Sequence, residues 1–142
     1  MNIEFTVPGV PVPQLRARAG KRGNKIIMYD PKESKDYKEY VALVARQHAP
    51  KKPYEGALSV NLKIYRQIPK STTKKNRELY NAGIKRPIVK ADVDNYSKSV
   101  LDSCNGIIWH DDSQVVDLYA AKYYSDNPRV EIAVKEIMEG IG

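Results

Sequence analysis

Between Asp92 and Gln114 the chain sets Asp92, Asp94, Asn95, Lys98, Asp102, Asn105-Gly106, Asp111, Asp112 and Gln114 within 23 residues. Carboxylates at that density suit chemistry on phosphate esters. Hydrolysing a phosphodiester at neutral pH needs an activated water and a counter-charge for the developing oxyanion, and a carboxylate-held divalent cation supplies both. Magnesium favours near-octahedral oxygen ligation and keeps several waters, so two or three Asp side chains on an open site suit it, with manganese able to substitute. In an extended segment residues two apart share a side, which would let Asp92 and Asp94 meet one ion. Their mutual repulsion calls for a cation or a proton between them. Lys98 follows Asp94 by four residues and so shares its helical face, where an ammonium can meet a phosphate oxygen. Asp102 and Asn105 continue that polar stripe, as accessory groups or as scaffold. A helix of about 11 residues carries the chain roughly 16 Å away, and the residues from 106 to 112 can reach back up to about 23 Å. Asp111 or Asp112 can therefore complete a triad with Asp92 and Asp94. An Asp-x-Asp pair alone is an ordinary helix cap; the whole spacing carries the reading.

The elements that must position these groups are legible in outline. Asp94 or Asn95 can cap a helix that runs to Asn105 and stops at Gly106, with Val100, Leu101 and Cys104 on its apolar side. Ile3 to Val7 alternates as a strand up to Pro8, and residues 8–24, with three prolines, three glycines and four cations, read as a mobile loop. A short strand at Ile26 to Tyr29 leads through Pro31 into a helix over 31–47, marked by Tyr37, Tyr40, Val41, Val44 and Ala45. Leu58, Val60, Leu62 and Ile64 alternate with polar residues as a half-buried strand. Residues 70–90 hold seven cations against Glu78 alone, with a short helix ended by Gly83. Residues 115–124 and 129–137 read as strands joined by the turn 125–128, hence as a hairpin. The expected fold is α+β: a single domain over residues 1–142, with a small mixed sheet and flanking helices.

At 142 residues the chain suits one domain, so chemistry and binding must share one surface. Lys and Arg number 24 against 17 Asp and Glu, a net charge of +7, which favours a polyanionic partner. Arg16 and Arg18 in the first loop and Lys74, Lys75, Arg77, Lys85, Arg86 and Lys90 in the basic stretch are the candidate DNA contacts. One cysteine, Cys104, excludes an intrachain disulfide and a thiolate zinc site, and points to a reducing compartment. No apolar run is long enough to span a bilayer and no secretory leader pattern opens the chain, so a cytoplasmic location is expected, without membrane partners. His110, beside the Asp pair, is not required by magnesium chemistry. Trp109 and Tyr96 can stack on bases but more commonly fill a core, and His48 suits a helix C-terminus.

Taken together, Asp92-Val93-Asp94-Asn95, Lys98, Asp102, Asn105-Gly106 and Asp111-Asp112-Ser113-Gln114 resemble the active-site segment of the RusA family of Holliday-junction resolvases. The likeness covers Lys90 to Val116, with a weaker echo in Pro11-x-Pro13 and in Tyr29 and Pro31. It implies a dimeric α+β endonuclease that binds four-way DNA junctions by shape and nicks opposed strands with magnesium, in recombination and repair. By position, Asp92, Asp94 and Asp112 match the metal-binding carboxylates and Lys98 the catalytic lysine, while Asp111 matches in a less defined role. The chain departs from the family at Ala91, where Pro or Arg is usual, and in the length of the basic stretch 70–90. Other branched substrates such as flaps or forks, or a non-catalytic basic DNA-binding protein, are the competing readings.

Overall fold

The structure, a computed structural model, describes residues 2–138. In chain order the elements are β1 (Asn2–Pro8), β2 (Arg18–Arg22), β3 (Lys25–Tyr29), α1 (Lys32–His48), β4 (Leu58–Gln67), α2 (Lys74–Asn81), α3 (Val93–Cys104), a 3-10 turn (Asp112–Gln114), β5 (Val115–Ser125) and β6 (Arg129–Glu136). This is the expected α+β architecture.

The main sheet has the order β1-β6-β4-β5, with β4 and β5 parallel and the other pairs antiparallel. β4 takes an interior position because Leu58, Val60, Leu62 and Ile64 on one of its faces are all essentially buried. They pack with Phe5, Val7, Val130, Ile132 and Val134 from β1 and β6, beneath Tyr37, Val41 and Ala45 of α1 and Tyr96, Val100 and Cys104 of α3. Parallel strands need a long crossover. Residues 68–114 provide it, and that crossover carries α2, α3 and every carboxylate of the motif.

This topology corrects the expected hairpin. β5 and β6 are joined by a short turn, yet β4 lies between them and they do not pair. The four steps from Ser125 to Arg129 can span about 13 Å, enough to pass the roughly 9.5 Å across two strand spacings. Turn length constrained only the distance; burial of the apolar β4 chose its partners.

The first loop is also more ordered than its composition suggests. Ser34 Oγ, fully buried at the start of α1, accepts from Leu15 N at 2.9 Å and donates to the Pro13 carbonyl at 3.2 Å. Gln14 N donates to Asn95 O at 2.9 Å, tying the loop to α3. Beyond it, Arg18–Arg22 folds back on Lys25–Tyr29 as a separate two-stranded ribbon through Gly23, whose φ of +64° suits glycine. At Gly20 a Cβ would sit 3.0 Å from the exposed Tyr29 ring, so a larger residue would push that ring aside by a few tenths of an ångström.

The basic stretch is anchored. Thr73 Oγ1 caps α2 by accepting from Asn76 N, and Gly83 follows the helix at φ +74°. Arg77 pairs with Asp126, and Tyr80 packs on Tyr124 with ring centroids 4.5 Å apart. On the sheet face away from the helices, Arg129 lies over Tyr65, Tyr65 stacks on Tyr123, and Arg86 lies over Tyr123. This alternation of cation and ring holds residue 86 to the sheet.

Candidate active site

Helix α3 begins two to three residues earlier than the expected cap at Asp94 or Asn95, with Asp92 in the N-cap position and Asp94 in the first turn. The extended geometry that would place Asp92 and Asp94 on one side is therefore absent. They instead straddle the helix start, both exposed, where the helix dipole favours negative charge. Their approach is set by two cations outside the motif. Arg66 donates to the carbonyls of Val89 (3.4 Å) and Lys90 (2.8 Å), and Lys122 Nζ donates to those of Val89 and Ala91, each at 3.0 Å.

Asn95, Lys98 and Asp102 follow on α3 at the expected spacing. Opposite Asn95 and Lys98, Gln14, Leu15, Arg16, Ala17 and Asp30 close a small open pocket. Within it, Lys38 Nζ of α1 meets Asp30 Oδ2 at 2.8 Å, and Gln14 Nε2 meets Asp30 Oδ1 at 3.3 Å. The Lys38 hydrogen bond holds the Asp30 carboxyl below its ordinary range, and Lys98 adds to this through its charge.

The chain beyond α3 does return to the helix, but to its second half. Asp112 returns beside Asp102, eight residues or roughly 12 Å along the axis from Asp94. Burial raises the Asp102 carboxyl above its usual range, the shared hydrogen bond and charge of Asp112 add to this, and Lys38 and Lys98 oppose it. Among the described residues no group of three or more His, Cys, Asp or Glu is close enough to hold a metal. The pair Asp102–Asp112 nevertheless fits a hard cation by its chemistry: two neighbouring carboxylates repel each other, and a divalent ion would relieve that repulsion.

The rest of the motif builds the return. Trp109 Nε1 donates to Asn105 Oδ1 at 2.7 Å, Gly106 sits at φ +76°, and its N–H meets the Trp109 carbonyl at 2.7 Å. Asp111 caps the 3-10 turn by accepting from Ser113 N; hydrogen bonding by the Ser113 side chain, and then by its backbone N–H, holds the Asp111 carboxyl below the ordinary range. Gln114 Oε1 accepts from His110 N and Asp111 N, and its Nε2 donates to the carbonyls of Tyr54 and Gly56. Asp111 and Gln114 are thus committed to the turn, and Asp112 is the carboxylate presented to α3.

The chain matches the family described as Endodeoxyribonuclease RusA over residues 8–135. It belongs to that family. It is accordingly an endodeoxyribonuclease of the Holliday-junction resolvase class, and RusA nucleases depend on a divalent metal. The chain is also 50% identical over 137 residues to the uncharacterized protein YqaN of Bacillus subtilis (strain 168), covering 95% of this chain and 96% of that one. Membership of a nuclease family favours catalysis over a non-catalytic basic DNA-binding protein.

In the motif region Trp109, Tyr96 and Cys104 are buried scaffold, and His110 is exposed, 3.9 Å from Glu55; outside it, His48 stacks on Phe5 at 5.3 Å. Of the candidate DNA contacts, Arg16 lines the pocket, while Arg18, Lys74, Lys75 and Lys90 are exposed. Arg77, Lys85 and Arg86 are engaged within the protein, with Asp126, with Asn76 Oδ1 at 3.3 Å, and with the Lys122 carbonyl at 2.9 Å. Sequence reasoning passed over Asp30, Lys38, Arg66 and Lys122. Each lies outside the motif and joins the site only through the packing of α1, β4 and β5 on α3. No helix among the described residues is long and apolar enough to cross a membrane.

Proposed function

We propose that this RusA-family enzyme resolves four-way DNA junctions by paired nicks in the cytoplasm, as a homodimer with magnesium as its cofactor and manganese as a possible substitute. Asp112 and Asp102 would hold the ion, while Asp92 and Asp94, the carboxylates the family motif also assigns to metal, lie roughly 12 Å away at the head of the same helix and could not share that ion without a rearrangement. The observation that carries this reading is the convergence of Asp112, Asp102 and Lys98 beside the basic pocket of Arg16. A bound divalent cation supplies an activated water and charge for the developing oxyanion. Lys98, exposed between Asn95 and Asp102, neutralises a non-bridging oxygen of the scissile phosphate as its charge grows. Asp30, paired with Lys38, forms the far wall opposite Lys98. Asn95, its backbone carbonyl fixed by Gln14 N, lines the same pocket.

The test is incubation of the protein with end-labelled four-way junction, flap and plain duplex, with magnesium and with chelator. Symmetric cuts in the junction that require the metal are expected. Cutting confined to flaps would move the substrate assignment, and unchanged cutting under chelator would remove the metal from the reading.

A further inference from the structure

The β2–β3 ribbon is a sheet of its own, and nine of its ten residues are exposed, only Gly20 being half-buried. A two-stranded ribbon alone is at best marginal in water, yet this one leaves Ile26 73% and Met28 65% exposed, with Ile27 and Tyr29 also open. The register sorts its side chains into two faces. Arg18 opposes Tyr29, Gly20 opposes Ile27 and Arg22 opposes Lys25, so one face carries three cations beside an aromatic ring. Ala19 opposes Met28 and Lys21 opposes Ile26, so the other is mostly apolar. Residues 10–29 contain five cations and no acid. Both roots of the ribbon lie in the active-site pocket: Ala17 precedes β2, Asp30 follows β3, and both line it with Lys98.

We propose that this ribbon is a branch-sensing arm for the DNA substrate. Arg18, Arg22 and Lys25 track phosphates of a duplex arm, and Ile26 and Met28 cover base pairs left unstacked at the branch point. A two-stranded ribbon fits the major groove, and Ile and Met are side chains that wedge against opened base steps. Charge selects the occupant: a second copy of this chain, itself at +7, would meet the acid-free ribbon with repulsion, whereas DNA complements it. The inference rests on the junction reading above and adds how a junction is told from plain duplex.

The experiment uses the full chain with chelator, measuring affinity for a four-way junction and for duplex of equal length across a salt series. Ile26→Gln/Met28→Gln should weaken junction binding about tenfold or more while leaving duplex binding within about twofold. Arg18→Gln/Arg22→Gln/Lys25→Gln should weaken both and lower the slope of log K against log salt by between two and three, on the order of 0.9 for each phosphate no longer neutralised. All five residues are exposed, so the folded state should persist, as far-ultraviolet circular dichroism would verify. Wild-type junction preference retained by the first variant overturns the wedge alone. A wild-type protein that binds junction and duplex alike overturns the junction reading and the wedge with it. A loss of junction binding accompanied by a fall in sedimentation mass assigns the apolar face to a second copy and overturns the proposal.

Discussion

Among individual side chains, Asp112 is the one whose position most directly links sequence to chemistry. Asp111 and Gln114 are used to make the turn, and Asp112 is what the turn delivers to Asp102. On the proposed mechanism Asp112→Asn should lower the cleavage rate at least a hundredfold with junction affinity kept within a few-fold, since it removes charge needed in the transition state more than in the ground state. Asp102→Asn separates activity from stability. It should slow cleavage about tenfold or more while the thermal midpoint holds or rises, because one of two crowded carboxylates loses its charge. Rate and melting measured on the same preparation decide this; a fall in melting with unchanged rate would make Asp102 a structural residue. Lys98→Ala should reduce kcat with little change in Kd for the junction. A loss seen only in Kd would make Lys98 a ground-state phosphate contact.

Among elements, what was legible in the sequence was whatever depends on local periodicity. The strand at Leu58–Ile64, the helix through Tyr37, Val41 and Ala45, and the α3 apolar stripe ending at Gly106 all follow from spacing and a stop signal. The spacing of Asn95, Lys98 and Asp102 on one helix was legible for the same reason. Pairing was not, because β5 and β6 are close in sequence but separated by a more apolar strand from elsewhere in the chain. Nor were Arg66 and Lys122 as supports for residues 89–91, since nothing local marks a cation that will cap carbonyls of a distant segment. The return of Asp112 to Asp102 lies between these cases: its reach was calculable, its landing point was set by Trp109 and Gln114. Gln114→Ala should therefore act on both stability and turnover. It leaves the carbonyls of Tyr54 and Gly56 without their donor and releases the turn that holds Asp112. A loss on the order of 1–3 kcal/mol in urea unfolding, together with slower cleavage, is expected; full stability with full activity would show that the turn holds without its glutamine.

For the molecule as a whole, Cys104 offers a reporter of unfolding. It is fully buried on α3, and burial pushes its thiol up to about 12, so the native protein presents almost no thiolate at pH 8. Ellman's reagent should label it only at the rate of global opening, and fast labelling of the native protein would show that α3 lifts from the sheet locally.

Paired cuts need two active sites, and each chain brings Asp112, Asp102 and Lys98 together once. Of the two strands with apolar material for an interface, Leu58–Ile64 is ruled out as an edge, since β4 pairs with β6 on one side and β5 on the other. The outer edge of β5 remains. Val116, Leu118 and Tyr119 are each about half exposed there or more, in the half of the strand away from the Tyr80–Tyr124 contact with α2. An unpaired edge with exposed apolar side chains is a template for another strand, and antiparallel pairing of β5 with its own copy about a two-fold axis is isologous and self-limiting. Sedimentation equilibrium at micromolar concentration should give about twice the chain mass of 16.1 kDa. Leu118→Lys/Tyr119→Lys should halve that value and convert paired cleavage into single nicks. A variant that stays dimeric would move the interface to another surface, and a wild-type monomer that still makes paired cuts would defeat the symmetry argument itself.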